Sequence, residues 1–322
     1  SYGFEFALDE EEARATGRLD AAKAFYDGYF RGCGGETIPV RDGDEAAGHV
    51  AMERLRGKAD GAAVRAFCDE HGLPLNAFFT AAFAFALKEY ADAEVPVFTT
   101  IYNGRNDPRL ANSVSMLVKT LPVSLDCKDD DYVMSLVEAC KAYLTAAMAN
   151  DLYSFAEIHQ AYSIDGNMMF VYQGEFEHGF PLGGKNAPVK QLGLSRARAA
   201  FALDLSLDGD ELVFEPEYDP TVFSPYTVHG MVDLMDHEVD EFVAKDRLRD
   251  VTLVSAEDEE RIRSLHDTDW PVAERPAYRL LQDQAEADPD AVALVACDRT
   301  LTYGELNGLA NAVGRALANA DS

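Results

Sequence analysis

The chain has 322 residues, a formal charge of -29 and an isoelectric point near 4.4. Hydrophobic residues make up 48% and aromatic residues 10%, enough for a packed core, which excludes an intrinsically disordered chain. At roughly 100–200 residues per domain the length predicts about two domains, and strong acidity without a run of Lys and Arg argues against nucleic acid or an anionic membrane as partner.

The first predicted element is a helix over "DEEEARATGRLDAAKAFYDGYF" (9–30), with acids at its N-terminal end where they suit the helix dipole. A strand follows in "GHVAMERL" (48–55), then a helix over "DGAAVRAFCDEHG" that Asp60 can cap and Gly72 can end. From Pro74 to Tyr90 a helix is apolar nearly all round, which places it at the centre of a core. Its segment "AFFTAAFAFAL" (77–87) is too short to span a bilayer.

"VPVFTTIYNGRNDP" (95–108) reads as a strand running into a Gly-Arg-Asn-Asp-Pro turn, and "SVSMLVKTLPVSLD" (113–126) as a second extended stretch. A helix over 130–149, a buried strand in "NMMFVYQ" (167–173) and a hairpin in "FALDLSLDGDELVFEPEYDP" (201–220) come next. The hairpin puts Phe201, Leu203, Leu205 and Leu207 on one face and turns near Asp208-Gly209. A helix from Ser224 to Val243 closes the region. Alternating strands and helices with one hairpin predict a mixed sheet covered by helices.

Between Ala244 and Ala277 charge rises and Pro271 and Pro276 punctuate the chain, the pattern of a structured linker. "YRLLQDQAEADPDAVALVACDRTLTYGEL" (278–306) then restarts a helix–strand–strand–helix pattern. The last helix carries Leu306, Leu309, Ala310, Val313, Leu317 and Ala318 at helical spacing, and the sequence ends where an α/β domain is expected to begin.

Chemistry-bearing motifs are sparse. Cys33, Cys68, Cys127, Cys140 and Cys297 are odd in number, widely spaced and without a C-x-x-C pair, which fits reduced thiols in the cytoplasm and no zinc site. No signal-peptide pattern opens the sequence. "HGMVD" offers His229 and Asp233 at the H-x-x-x-D spacing of a general base and its orienting acid. Val228, Val232, Met235 and Val239 mark a helix there, so the pair reads as ordinary i,i+4 neighbours.

"PLGGKN" (181–186) mimics a phosphopantetheine attachment site but has Asn186 where a serine hydroxyl is required. "GLSRA" around Ser195 has Ala197 where a nucleophile elbow needs glycine. No phosphate-cradling glycine motif occurs. Asp129 to Asp131 read as the start of the following helix rather than as metal ligands, and His71 as a dipole partner at a helix end. His49, His159, His178, His237 and His266 are scattered. No complete active site emerges from the residues themselves.

Taken in series, however, several stretches resemble nonribosomal peptide synthetases at the junction of a condensation domain and the adenylation domain after it. "LPLNAFFTAAFAFALKEY", "VFTTIYNGRNDPRLANSVSMLVKTLPVSL" and "LVFEPEYDPTVFSPYTVHGMVDLM" are similar to the second half of a condensation domain. Within them "SVSMLVKTLP" resembles the family's Gly-x-Phe-Val-Asn-Thr element, departing from it at Ser115, Leu117 and Lys119. "NDLYSFAEI" is a diverged form of the element that carries Gln-Asp and Pro-Phe-Glu, and the Arg-Asp-x-Ser-Arg-Asn-Pro element before "MMFVYQ" is essentially missing. "VTLVSAEDEERIRSLHDTDWPV" looks like the interdomain linker, and "LLQDQAEADPDAVALVACDRTLTYGELN" like the adenylation start with its Leu-Thr-Tyr-x-Glu-Leu element at Leu301 to Leu306.

The resemblance implies an α/β fold, one chloramphenicol-acetyltransferase-like lobe of a two-lobed domain, over residues 1–244. A linker over 245–277 and the first part of adenylation over 278–322 complete the implied organisation. The family's His-His-x-x-x-Asp-Gly element belongs to the other lobe, and no two histidines are adjacent here. The resemblance therefore implies no catalytic residue, no bound cofactor and no metal in these residues. The parent assembly would use ATP, Mg and phosphopantetheine. Its partners would be phosphopantetheinylated carrier domains and amino-acid thioesters, joined as amides. If residues here touch substrate, Tyr102, Asn103, Arg105 and Lys119 are the candidates, with packing and salt bridges as their competing roles. A non-catalytic carrier-binding module and a standalone acyltransferase using His229 are the alternatives. Surfaces that the parent would cover predict self-association.

Overall fold

The computed structural model describes residues 2–105, 108–110, 114, 116–176, 179–187, 196–266 and 276–320. Ser115, His178, Ser195, Trp270 and Pro271 lie outside the described residues. Two compact units are present, Ser1–Glu259 and Glu260–Ser322.

In the first unit, α1 (Tyr2–Ala15) and α2 (Arg18–Phe30) replace the single opening helix expected from the sequence. Gly17 sits between them with φ 84, a left-handed conformation that a continuous helix cannot contain. The strand expected at 48–55 is likewise divided. Only Ala51–Met52 (β1) pairs before the chain enters β2 (Leu55–Asp60), and both lie antiparallel to the same later strand.

The helix α3 (Gly61–His71) has the predicted ends. The Asp60 carboxylate accepts from the N–H groups of Ala62 and Ala63 at 2.9 and 3.1 Å, and Gly72 closes it at φ 63. His71 Nδ1 meets the Phe67 carbonyl at 2.9 Å in the last turn. The helix α4 (Leu75–Ala91) is buried continuously from Ala77 to Leu87.

The strands β3 (Val97–Tyr102) and β4 (Lys119–Ser124) precede α5 (Val133–Ala149) and α6 (Phe155–Tyr162). Asp129 to Asp131 fall in the turn before α5 rather than in it. There Asp129 accepts from Lys88 at 3.0 Å and Asp130 pairs with Arg249 at 2.9 Å, so tertiary partners draw these carboxylates away from the helix end. The remaining elements of the unit are β5 (Met168–Glu175), the short hairpin β6 (Phe180–Leu182) and β7 (Lys185–Ala187), the hairpin β8 (Phe201–Asp208) and β9 (Glu211–Tyr218), and α7 (Pro225–Ala244).

One seven-stranded sheet organises the unit in the order β1-β9-β8-β5-β3-β4, with β2 also on β9. β3 runs parallel to β5 and β5 parallel to β8, while β4 and β9 are antiparallel to their neighbours, the mixed sheet predicted above. On one face α4 lies against β5, flanked by α5 and α7. Phe83 sits between Phe170 and Phe98, each ring centroid 4.9 Å away. On the opposite face a second cluster joins Met169, Val171, Ala199 and Ala202, with Ile101 beside them. β8 is therefore buried on both faces, beyond the one-sided alternation that its leucines suggest.

The free edge of β2 is closed by α7. Asp236 accepts from the N–H groups of Lys58 and Ala59 at 2.6 and 3.2 Å, and Asp240 from that of Asp60 at 2.9 Å, which satisfies donors that another strand could otherwise pair.

After α8 (Ala256–Leu265), the second unit contains α9 (Ala277–Ala287), the antiparallel pair β10 (Val292–Val295) and β11 (Thr300–Thr302), and α10 (Tyr303–Ala320). This is the helix–strand–strand–helix order read from the sequence. Thr302 and Glu305 exchange hydrogen bonds at 3.0 and 3.3 Å and so fix the start of α10. Leu309, Val313 and Leu317 on α10 are exposed. Among the described residues no helix is long and apolar enough to cross a membrane.

Candidate functional site

β3 and β4 are paired so that Tyr102 opposes Lys119 as the last register pair. All four residues singled out from the sequence consequently gather at one end of this hairpin. The Tyr102 ring is buried. Asn103 is exposed, and its side-chain carbonyl accepts from the Arg105 N–H at 3.0 Å, forming an Asx turn. Arg105 donates through Nη1 to the Leu110 carbonyl at 2.6 Å.

Lys119 Nζ donates to Glu10 Oε1 at 3.1 Å and to the Asp151 carbonyl at 3.2 Å, with the Asp151 carboxylate at 3.3 Å. Arg109 pairs with Asp9 at 3.0 Å. The hairpin end thus collects cations that carboxylates of α1 and of the α5–α6 turn hold in place. The arrangement holds the Lys119 ammonium between the carboxylates of Glu10 and Asp151.

A third tie fixes α1 to α6. Arg14 donates to both Glu157 oxygens, at 3.1 and 3.2 Å, and to the Leu152 carbonyl at 2.8 Å. Glu157 also closes a capping box with Ser154. The hydrogen bonds from Arg14, followed by those from Ser154, hold this carboxyl down at about 2 against an ordinary 4.5. A lowered folded-state pKa contributes stability above the ordinary value and loses it as pH falls through the lowered one. Arg14→Ala is therefore expected to flatten the dependence of melting temperature on pH between about 4.5 and 2. A carboxyl-detected NMR titration should show Glu157 rising toward its ordinary value, and an unchanged titration would refute the assignment.

His229 lies on α7, as its surrounding pattern predicts, but its hydrogen bond does not go to Asp233. Nε2 meets Glu53 Oε2 at 2.8 Å, and the Tyr218 hydroxyl donates to the other Glu53 oxygen at 3.0 Å. Burial, reinforced by Glu53, pushes the Tyr218 phenol up to about 12. Beside this trio, Met52, Glu53, Arg54, Glu215 and Pro216 line a small depression of about 190 Å³. His229 and Glu53 are both partly exposed. Sequence reasoning missed Glu53 because it stands 176 positions from His229, with no local spacing to link them. Among the described residues, no group of three or more His, Cys, Asp and Glu side chains could hold a metal ion.

Comparison with known proteins places the chain. Residues 4–263 match the family described as "Condensation domain". A linear gramicidin synthase of Brevibacillus parabrevis is 25% identical over 320 residues, covering 93% of this chain and 4% of that protein. Bacitracin synthase 3 of Bacillus licheniformis is 28% identical over 265 residues, covering 76% of this chain and 4% of that protein. This chain therefore spans a small fraction of the curated relatives it matches.

Among solved structures, a four-domain nonribosomal peptide synthetase bound to AMP and glycine superposes with a TM-score of 0.70 at 17% identity, covering 89% of this chain and 24% of that one. The X-domain from teicoplanin biosynthesis superposes at 0.64 and 16% identity, covering 77% and 61%. These likenesses carry the fold.

Proposed function

We infer, from the premise that this chain belongs to the condensation-domain family, that it supplies one wall of a cavity in which a nonribosomal peptide synthetase forms amide bonds. In the reaction so inferred, an aminoacyl amine on one carrier attacks an aminoacyl or peptidyl thioester on another. The C–N bond forms as the C–S bond breaks, and the proton lost by the amine ends on the departing phosphopantetheine thiol. Residues 1–244 are read as the C-terminal lobe, 245–277 as the interdomain linker and 278–322 as the start of adenylation. Tyr102, Asn103, Arg105 and Lys119 line the substrate side.

The match over residues 4–263 carries this reading. The lobe assignment is supported by the X-domain superposition, in which a large part of that chain has no counterpart here. The adenylation assignment is supported by the gramicidin synthase match, whose 93% coverage extends past residue 263. Adjacent histidines are absent from the sequence, so the amine-activating element of the parent is assigned to its other lobe, and ATP and Mg to the rest of adenylation. Phosphopantetheine arrives on carrier domains. The exposed Leu309, Val313 and Leu317 are read as a surface for self-association.

The test is condensation with loaded donor and acceptor carriers. This chain alone should give no dipeptide above background, and amino-acid-dependent ATP–pyrophosphate exchange should fail equally. Dipeptide formation that survives in the wild type and disappears in His229→Ala would favour the acyltransferase reading, in which Glu53 orients His229. Dipeptide formation indifferent to His229 would overturn both.

A further inference from the structure

Glu238 is the one described residue whose buried side-chain polar atoms have no hydrogen-bond partner among the described residues, and this holds for both carboxyl oxygens. It lies in the middle of α7 and is 0% exposed. Burial in apolar surroundings penalises the charged carboxylate far more than the neutral acid. Asp236 and Asp240 on the same helix serve the β2 edge, where they are hydrogen-bonded. Glu238 faces other groups.

The charged groups around it are Lys88 and Glu89 at the C-terminal end of α4. The Cys127 thiol, itself buried, lies in the segment after β4 and senses Glu238. Lys88 offers little compensation. Its ammonium already binds Glu89 and, at 3.0 Å, Asp129, so an ionised Glu238 would meet a cation committed to two other carboxylates. Glu89 repels a second negative charge, and burial raises the Glu238 carboxyl well above its ordinary range.

We propose that Glu238 makes the α4–α7 joint proton-gated: the joint is closed while the buried carboxyl is neutral, and opening it to water releases the proton. The packing behind the joint is otherwise apolar and aromatic, with Phe242 of α7 against Phe78 and Phe85 of α4 at 6.1 and 5.7 Å between centroids. A raised folded-state pKa contributes stability below the ordinary carboxylate range and loses it as pH climbs toward the folded value. Between those limits the equilibrium for any opening that wets Glu238 should grow about tenfold per pH unit.

Hydrogen exchange of α4 and α7 amides in the full chain, corrected for intrinsic rates, reads this directly. Wild type should show the tenfold-per-unit rise relative to Glu238→Gln and Glu238→Leu, whose curves should be offset from each other but share one slope with pH. Parallel curves for wild type and both variants would overturn the proposal. A second measurement avoids dependence on variant folding. Carbon-13 carboxyl NMR of the wild type should find Glu238 still protonated where the exposed glutamates have already ionised, and a Glu238 resonance that titrates together with them would overturn the proposal as well.

Discussion

Replacing Phe83 with alanine is expected to lower the unfolding free energy by about 3–5 kcal/mol, the range for truncating a buried aromatic in a close-packed core. Phe83 is 2% exposed and belongs to α4, which is apolar on all sides because it is enclosed by the sheet, α5 and α7. Its ring stacks on Phe170 of β5 at 15° and meets Phe98 of β3 edge-on at 72°. Alanine would leave a void bounded by two rings on adjacent parallel strands, which cannot both collapse into it without moving the sheet. Urea unfolding should show a lower midpoint with an unchanged m value. Val118→Ala, at an exposed apolar position, should stay within about 0.5 kcal/mol of wild type. A Phe83→Ala midpoint equal to that of Val118→Ala would mean that α4 is not the centre of the core.

That centre was legible because α4 declares itself in one unbroken apolar run. α3 was legible for a different reason: both of its ends are written in short-range chemistry, an Asp before the first turn and a Gly after the last. The opening helices were misread as one because the stretch from 9 to 30 holds two glycines, and nothing in the sequence marks Gly17, with its left-handed φ, as the break while Gly28 stays inside α2. The break between β1 and β2 was hidden because both strands pair with β9, more than a hundred and fifty residues later, and only that partner divides them.

Long-range polar pairings were the least legible. Glu53 with His229, Arg14 with Glu157 and Asp236 with the β2 amides each join residues over a hundred positions apart. Each depends on two segments meeting with a geometry that neither encodes alone. Glu238 illustrates the same limit. The spacing of Val228, Val232, Met235 and Val239 defines the apolar stripe of α7, and nothing in that pattern shows that the stripe widens to enclose Glu238. At the candidate site, by contrast, the sequence brought Tyr102, Asn103, Arg105 and Lys119 forward as one turn and its strand. Pairing of β3 with β4 does place them together. Their partners on α1 were out of reach.

The turn between those strands carries the second large effect. Gly104 adopts φ 67, and a Cβ there would overlap the Leu117 carbonyl oxygen, which is backbone and cannot rotate away. Alanine must therefore either move the turn off the segment leading into β4 or hold a strained conformation, a cost of about 2–3 kcal/mol. The loss should be local in origin. Lys119 opposes Tyr102 directly, so displacement of Leu117 pulls on the ammonium that Glu10 and Asp151 hold. Gly104→Ala should accordingly lower the thermal midpoint and raise hydrogen exchange at Lys119 and in α1. Asn103→Ala, which removes only the Asx-turn hydrogen bond to Arg105, should cost about 1 kcal/mol and leave α1 protected. If the two variants instead gave equal stability losses and equal α1 exchange, the close approach of Gly104 to Leu117 would not be what holds this end of the hairpin together.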